Sequence, residues 1–452
     1  MKAQSRAAAA SLPAAGGQHP QDIWDHLLVV AIFAGMAALL WAAIATPLLQ
    51  PLFDVAEREH WSALWIRPTV IWVTMGLLLM FARTVFWVRY RPFATATAED
   101  APMMTVIIPA YNEGAMVETA IASVARAAYP AGRLEIVAVD DGSTDDTWKH
   151  IRRAALRFPN LVTTVRLPSN RGKRAALAAG FRLMKGEIVV TVDSDSEIER
   201  GTLLAIAGPF RDPRIGAVAG KVAVRNRRQG LIPRMLHVRF VLSFDFLRSA
   251  QSMFRTVYCC PGALAAYRAS VVLEVLPEWE RQRFLGTDCT YGEDRALTNA
   301  ILGRGYDTVY QRTAVVQTIV PETYGQLCRM YLRWDRSYIR EELRFARVVW
   351  RRPPLWRACA LYESTVTNLR FPVAYISIAL WIVHAMDDPG AIVRMLLAIM
   401  IVSVVYVLYY LRSERSWDVV FGVLYAYYSF FALTWIFPYA ALTLRARGWL
   451  TR

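Results

Sequence analysis

Five apolar stretches, two near the start of the chain and three near its end, constrain it most. His26 to Leu49 and Thr69 to Val88 are nearly continuous apolar sequence, each long enough for a helix of about 20 residues to cross a bilayer. From residue 361 onward, further stretches fall near 365–384, 391–411 and 418–443. Residues 101–350 lack such runs. The pattern predicts a multi-pass membrane protein interrupted by a water-soluble domain, and the composition agrees, at 55% hydrophobic yet still 20% charged. The basic, aromatic segment Arg83–Pro92 closes the second span. An excess of Arg beside a span marks its cytoplasmic end, so the domain is expected in the cytoplasm at an inner or plasma membrane. An odd span count would leave the C-terminus outside, whereas Arg445, Arg447 and Arg452 argue for inside. A break at Pro438, or more than one span within 353–384, would each resolve the conflict.

The expected divisions are a disordered Ala/Gly/Ser/Pro tail over 1–20, two transmembrane helices in 21–90, a soluble domain over 101–322, an amphipathic helix over 323–352 and a C-terminal membrane region over 353–452. The net charge of +15 lies at the flanks of the apolar stretches and along amphipathic segments at 225–248 and 329–352. That distribution fits an anionic lipid surface and a polyphosphate ligand rather than nucleic acid. The five cysteines show no C-x-x-C spacing and no adjacent histidines, so neither a zinc site nor a disulfide framework is expected.

Within the soluble domain, strand patterns at Thr105–Pro109, Glu135–Asp140, Val162–Leu167 and Glu187–Asp193 alternate with helical patterns at 113–128, 145–157 and 172–184. Such alternation predicts an α/β domain with a mainly parallel sheet. Ligands bind such sheets beyond the carboxyl ends of the strands. Four polar clusters fall there: Tyr111-Asn112-Glu113, Asp140-Asp141-Gly142-Ser143, Arg171-Gly172-Lys173 and Asp193-Ser194-Asp195. Asn112 alone could cap a helix, and Asp141-Gly142-Ser143 could be a turn. Asp193 and Asp195, two apart on an extended chain, would share a side and suit Mg²⁺ or Mn²⁺ with phosphate oxygens; a solvated acidic turn would read the same way. Arg171 and Lys173 open a helix whose N–H groups favour a diphosphate. Asp294 opens another helix, either as a partner of its dipole or as a general base. Arg329, Arg333, Arg336 and Arg340 repeat at spacings of 4, 3 and 4, one helical face that could meet lipid headgroups or a diphosphate. Trp334 offers a flat face for a sugar.

Taken together, Tyr291-Gly-Glu-Asp-Arg-Ala-Leu-Thr-Asn299, Cys259-Cys260-Pro-Gly262 through Tyr267-Arg268, Arg333-Trp334-Asp335-Arg336-Ser337 and the terminal Trp449-Leu-Thr-Arg452 resemble the membrane-embedded family 2 glycosyltransferases, closest to the hyaluronan synthase and nodulation-type chitin-oligosaccharide synthase branch. The resemblance covers residues 100–345 closely. It implies a GT-A-like nucleotide-sugar domain inserted between transmembrane helices, with amphipathic interface helices. It also implies a processive, inverting β-glycosyltransferase that uses Mg²⁺ or Mn²⁺ and a UDP-sugar to extend and export a polysaccharide. The donor is UDP-N-acetylglucosamine, alone or with UDP-glucuronic acid as a second. By position, Asp294 is the base, Arg333 clamps the diphosphate, and Trp334 supports the acceptor. Tyr111, Glu113, Asp140, Asp141, Lys173, Asp193, Trp449 and Arg452 hold the nucleotide, and Asp195 holds the metal. Cys260, Gly262, Tyr267 and Arg268 line the acceptor entrance. The sequence departs from the pattern at Met330, where the Gln of Gln-x-x-Arg-Trp is expected, and at Leu450, where Gly is expected. Glu363, Thr367, Asn368 and Arg370 could line an export channel or pack helix against helix. The rivals are a single-transfer glycolipid synthase and a binding or transport protein without catalysis.

Overall fold

The computed structural model describes residues 23–45 and 68–446. Helices α1 (Ile23–Ala45) and α2 (Pro68–Arg89) come first, both long and apolar enough to cross a membrane.

The domain that follows is built on an eight-stranded sheet. Its first half repeats strand and helix: β1 (Met104–Ala110), α3 (Met116–Ala125), β2 (Leu134–Asp140), α4 (Thr147–Arg157), β3 (Val162–Arg166), α5 (Lys173–Leu183) and β4 (Ile188–Val192). These strands are parallel, and their register aligns Ala110 with Asp140 and Asp140 with Arg166, so the carboxyl ends of β1 to β3 meet at one edge. The short β5 (Glu197–Ile198), α6 (Thr202–Ala207) and β6 (Ile215–Val224) follow. Helix α7 (Leu231–Phe240) runs through a π-helical turn at Val241–Phe246 into α8 (Leu247–Met253). Then come β7 (Leu264–Arg268), α9 (Ala269–Glu280), the β8 (Arg283–Phe284) and β9 (Thr287–Asp288) hairpin, α10 (Glu293–Gly303) and β10 (Asp307–Thr318). The strand order is β3-β2-β1-β4-β7-β6-β10-β5, with β7 antiparallel to both neighbours.

Successive strand residues face opposite sides, and both sides are covered. Val106, Ile108, Ile136 and Val190 pack into one apolar core, while Ile107, Val137 and Val189 join Phe181, Trp279 and Ile301 in the other. A Cβ at Gly180 of α5 would lie 2.6 Å from Ile107 Cγ2, so this helix lies on β1 with no side chain of its own between them at that point.

Helix α11 (Tyr324–Val348) opens with a capping box in which the Thr323 hydroxyl accepts from Gln326 N and the Gln326 side chain accepts from Thr323 N, satisfying two donors at once. Its buried face holds Leu327, Met330, Arg336, Ser337, Arg340 and Phe345, so Arg336 and Arg340 turn into the protein rather than onto lipid. Two more membrane-length helices follow, α12 (Pro354–Asp387) and α13 (Gly390–Glu414). The 34 residues of α12 are one helix of about 51 Å at 1.5 Å per residue, longer than the ~30 Å hydrocarbon core, and 353–384 is therefore not split into several spans. The last stretch bends by 44° between Val419–Leu433 and Ile436–Leu442, comprising α14 (Val419–Tyr428), a π-helical turn and α15 (Ile436–Leu442). The break precedes Pro438, which sits in the first turn of α15, where a missing N–H costs little.

Candidate active site

The carboxyl edge of β1 to β4 is assembled by short polar contacts. Asn112 takes a positive φ of 53°, and its Oδ1 accepts from Thr144 N at 2.9 Å. Thr147 Oγ1 accepts from Glu113 N and Gly114 N at 2.8 and 2.9 Å, and Tyr111 just before them is half-buried. Asp140 is fully buried; its Oδ1 accepts from Ser143 N at 3.0 Å, and Arg166 Nε lies 3.1 Å from Oδ2. Asp141 accepts from Arg171 N at 2.9 Å and Gly172 N at 2.8 Å. Burial pushes the Asp141 carboxyl up against the pull of those two N–H groups. Both aspartates thus tie the loops that frame a slot at the strand ends.

Beside that slot the first turn of α5 meets the start of α10. Lys173 Nζ is bonded to Asp193 Oδ1 and stands 3.4 Å from Glu293 Oε1. Burial opposes its charge, but Asp193 and Glu293 outweigh this and hold the ammonium above its ordinary range. Burial likewise penalises Glu293, yet Lys173, with Arg174 and Arg333, keeps that carboxyl below its ordinary value. Asp294, next along the chain, behaves oppositely. Burial first and the neighbouring Glu293 charge second raise it. Its Oδ2 faces Gly262 N at 3.3 Å and the Cys259 thiol at 3.5 Å, and its Oδ1 accepts from Arg295 N at 2.7 Å. Asp294 thus adjoins a like charge that Lys173 compensates, Glu293. Gly292 allows it: at φ +75° it begins α10, and a Cβ there would collide with Ser337 and Arg340 of α11.

Helix α11 brings Arg333, whose charge acts on Glu293, to the same place. Trp334, 37% exposed, contacts Phe240 and Tyr331 at centroid distances of 6.1 and 5.7 Å. Burial raises the carboxyl of Asp335 to about 7, against Arg370 and Arg239. Arg340 donates to Tyr291 O at 2.5 Å, and Arg336 to Thr443 Oγ1 at 2.8 Å.

The structure corrects three sequence expectations. Asp193 and Asp195 do not share an extended strand: β4 ends at Val192, and Ser196 N bonds Asp193 O at 3.1 Å in a turn. Asp193 turns to Lys173, while Asp195 Oδ1 accepts from the Ser196 and Thr318 hydroxyls at 3.1 and 3.3 Å. Tyr267 and Arg268 do not line an acceptor entrance. Because β7 is antiparallel, Arg268 pairs with Ile188 at the opposite edge; it binds the Phe210, Asp212 and Ile215 carbonyls, and Tyr267 is 1% exposed in the core. Cys260 is fully buried, its N–H held by Thr298 Oγ1 at 3.0 Å; of that segment Gly262 reaches Asp294. Trp449 and Arg452 lie outside the described residues, as does the 1–20 tail; the Ala446 carbonyl accepts from Tyr291 OH at 3.0 Å.

Among the described residues, no three His, Cys, Asp or Glu side chains gather to hold a metal ion. A single carboxylate backed by hydroxyls, such as Asp195, fits a hard cation that takes its other oxygens from water and phosphate.

Residues 105–276 match the family described as Glycosyl transferase family 2. An N-acetylglucosaminyltransferase of Azorhizobium caulinodans is 31% identical over 354 residues, 78% of this chain and 87% of that one. One of Rhizobium leguminosarum bv. viciae is 36% identical over 265 residues, 57% of this chain and 62% of that one. Among solved structures, a mannosyltransferase of Pyrobaculum calidifontis in complex with GDP-mannose and Mn²⁺ aligns with a TM-score of 0.55 at 23% identity, covering 79% of this chain and 97% of that one, a likeness of fold. The α/β domain is GT-A-like, its mainly parallel sheet flanked by apolar helices, and the chain belongs to glycosyl transferase family 2.

Proposed function

We propose that this protein is a membrane-embedded inverting β-glycosyltransferase that adds N-acetylglucosamine from UDP-N-acetylglucosamine to a growing polysaccharide. The observation that carries this reading is Asp294. Its carboxylate accepts from Gly262 N at 3.3 Å and Arg295 N at 2.7 Å, one residue from Glu293, which Lys173 links to Asp193, on the edge where the sheet presents ligands. The relatives, both N-acetylglucosaminyltransferases, support the choice of sugar.

In this reading the Asp141-braced slot receives the nucleotide, and Lys173 and Arg333 face the diphosphate, where a planar guanidinium pairs well. Asp195 would hold Mg²⁺ or Mn²⁺, which would supply positive charge to stabilise a leaving diphosphate. Trp334 lies under the acceptor sugar, and Asp294 takes the proton from its attacking hydroxyl. The polymer leaves along α12. There the Arg370 guanidinium lies 4.8 Å over the Phe371 ring in the middle of a membrane-length helix, and a guanidinium at such a place calls for a polar path rather than lipid. Glu363 and Thr367 bond Arg83 at 3.1 and 3.0 Å, and Asn368 bonds Tyr338 at 2.7 Å; they fix the wall of that path. A second donor, UDP-glucuronic acid, is tested by the product of paired donors.

Asp294→Asn tests the core of the proposal. Asn keeps the shape, and its Oδ1 can still accept from Arg295 N, but it accepts no proton. The variant should fold, bind UDP near normally and lose about 10²–10⁴-fold in turnover. Normal turnover would remove Asp294 from the mechanism.

A further inference from the structure

One closed ring of side chains joins the helix that carries Asp294 to the membrane. Arg295 NH1 bonds Glu342 Oε1 of α11 at 3.0 Å. Glu342 Oε2 accepts from Ser364 Oγ and Asn368 Nδ2 of α12, both at 3.0 Å. Asn368 Oδ1 accepts from Tyr338 OH at 2.7 Å, and the Arg295 guanidinium closes the ring 4.9 Å over the Tyr338 face. Three helices, α10, α11 and α12, contribute, and every polar group named has a partner within it.

We infer that Glu342 is a positioning residue for the proton-accepting carboxylate: it holds the Arg295 guanidinium in this ring and so keeps that charge from pairing with Asp294. The inference rests on Asp294 being the base. Asp294 is faced by Glu293 and Arg295 of its own helix, Lys173 of α5, Arg248 of α8, and Cys259, Cys260 and Tyr267 at and before β7. Arg295 already pulls the carboxyl down, while burial and Glu293 push it up. Glu342 is the side chain bonded to the Arg295 guanidinium by an ion pair. Without the Glu342 charge, Asp294 is the other carboxylate whose charge acts on the Arg295 guanidinium, and a nearby opposite charge favours the ionised form. A base made more acidic accepts a proton less well.

The test uses the full chain in lipid nanodiscs, with UDP release from UDP-N-acetylglucosamine followed against pH. Glu342→Gln should move the acidic limb of turnover about one unit or more to lower pH and lower the plateau about tenfold, with UDP affinity unchanged. Glu342→Asp should return the limb toward its normal position. Asn368→Ala, which leaves Glu342 leaning harder on Arg295, should move the limb the other way by less, and it serves alone if Glu342→Gln does not fold. An unmoved limb, with only yield or melting temperature lowered, overturns the inference and leaves the ring a structural tie. Asp294→Asn in the same assay separates the failures. If it is active, the base assignment itself falls. If it is inactive while the limb stays put, only the role of Glu342 falls.

Discussion

Lys173 reaches from the first turn of α5 to the first turn of α10, its Nζ 3.4 Å from Glu293 Oε1 while it also bonds Asp193. One ammonium is therefore shared between two acids, the second of them adjoining Asp294. Lys173→Met would leave Glu293, 7% exposed, without its main counter-charge. Turnover should fall about 10²-fold or more, the scale for one electrostatic stabiliser, and UDP affinity should fall with it. Near-normal values of both would make Lys173 a structural counter-ion only.

Chelation should act at Asp195. Excess EDTA should abolish turnover, Mg²⁺ or Mn²⁺ should restore it, and Asp195→Ala should resemble the chelated enzyme even with metal present. Full activity in chelator would sink the metal assignment.

Arg333→Ala removes the guanidinium that the proposed mechanism sets against the diphosphate, and turnover should drop about 10²-fold. If turnover holds while binding to anionic vesicles is lost, Arg333 serves the membrane surface instead.

Asp335 gives stability a pH dependence of known sign. Its carboxyl sits at about 7 in the folded protein against an ordinary 3.8. The folded state thus keeps a proton that the unfolded chain loses. Stability falls as pH rises from about 4 to 7, by at most about 1.4 kcal/mol for each pH unit crossed. Asp335→Asn should melt higher than the native protein at pH 8, and the gap should close toward pH 4. A constant gap across that range would count against it.

The first four strands and their intervening helices are legible in the sequence because β1, β2 and β4 bury continuous apolar runs between two covered faces, which local sequence states directly, while the edge strand β3, Val-Thr-Thr-Val-Arg, is marked by its β-branched residues. Strand direction is not stated locally. Nothing in Leu264–Arg268 says that β7 runs backwards, and this reversal carries Tyr267 and Arg268 away from the ligand edge. The turn after Val192 is hidden for a related reason: an acidic pair reads the same in a strand as in a loop. Asp294, Lys173 and Arg333 are visible as motif residues. Glu342 is not, because its meaning comes from Arg295 and Asn368, 47 and 26 positions away.

The bare contact between Gly180 and Ile107 sets which parts of the site can adjust. With no side chain to act as a bearing, α5 has no room to slide or roll on β1, and Lys173 at its start is fixed relative to the sheet. In the proposed reaction the donor's diphosphate would then meet an ammonium whose place is set by backbone packing rather than by side-chain rearrangement.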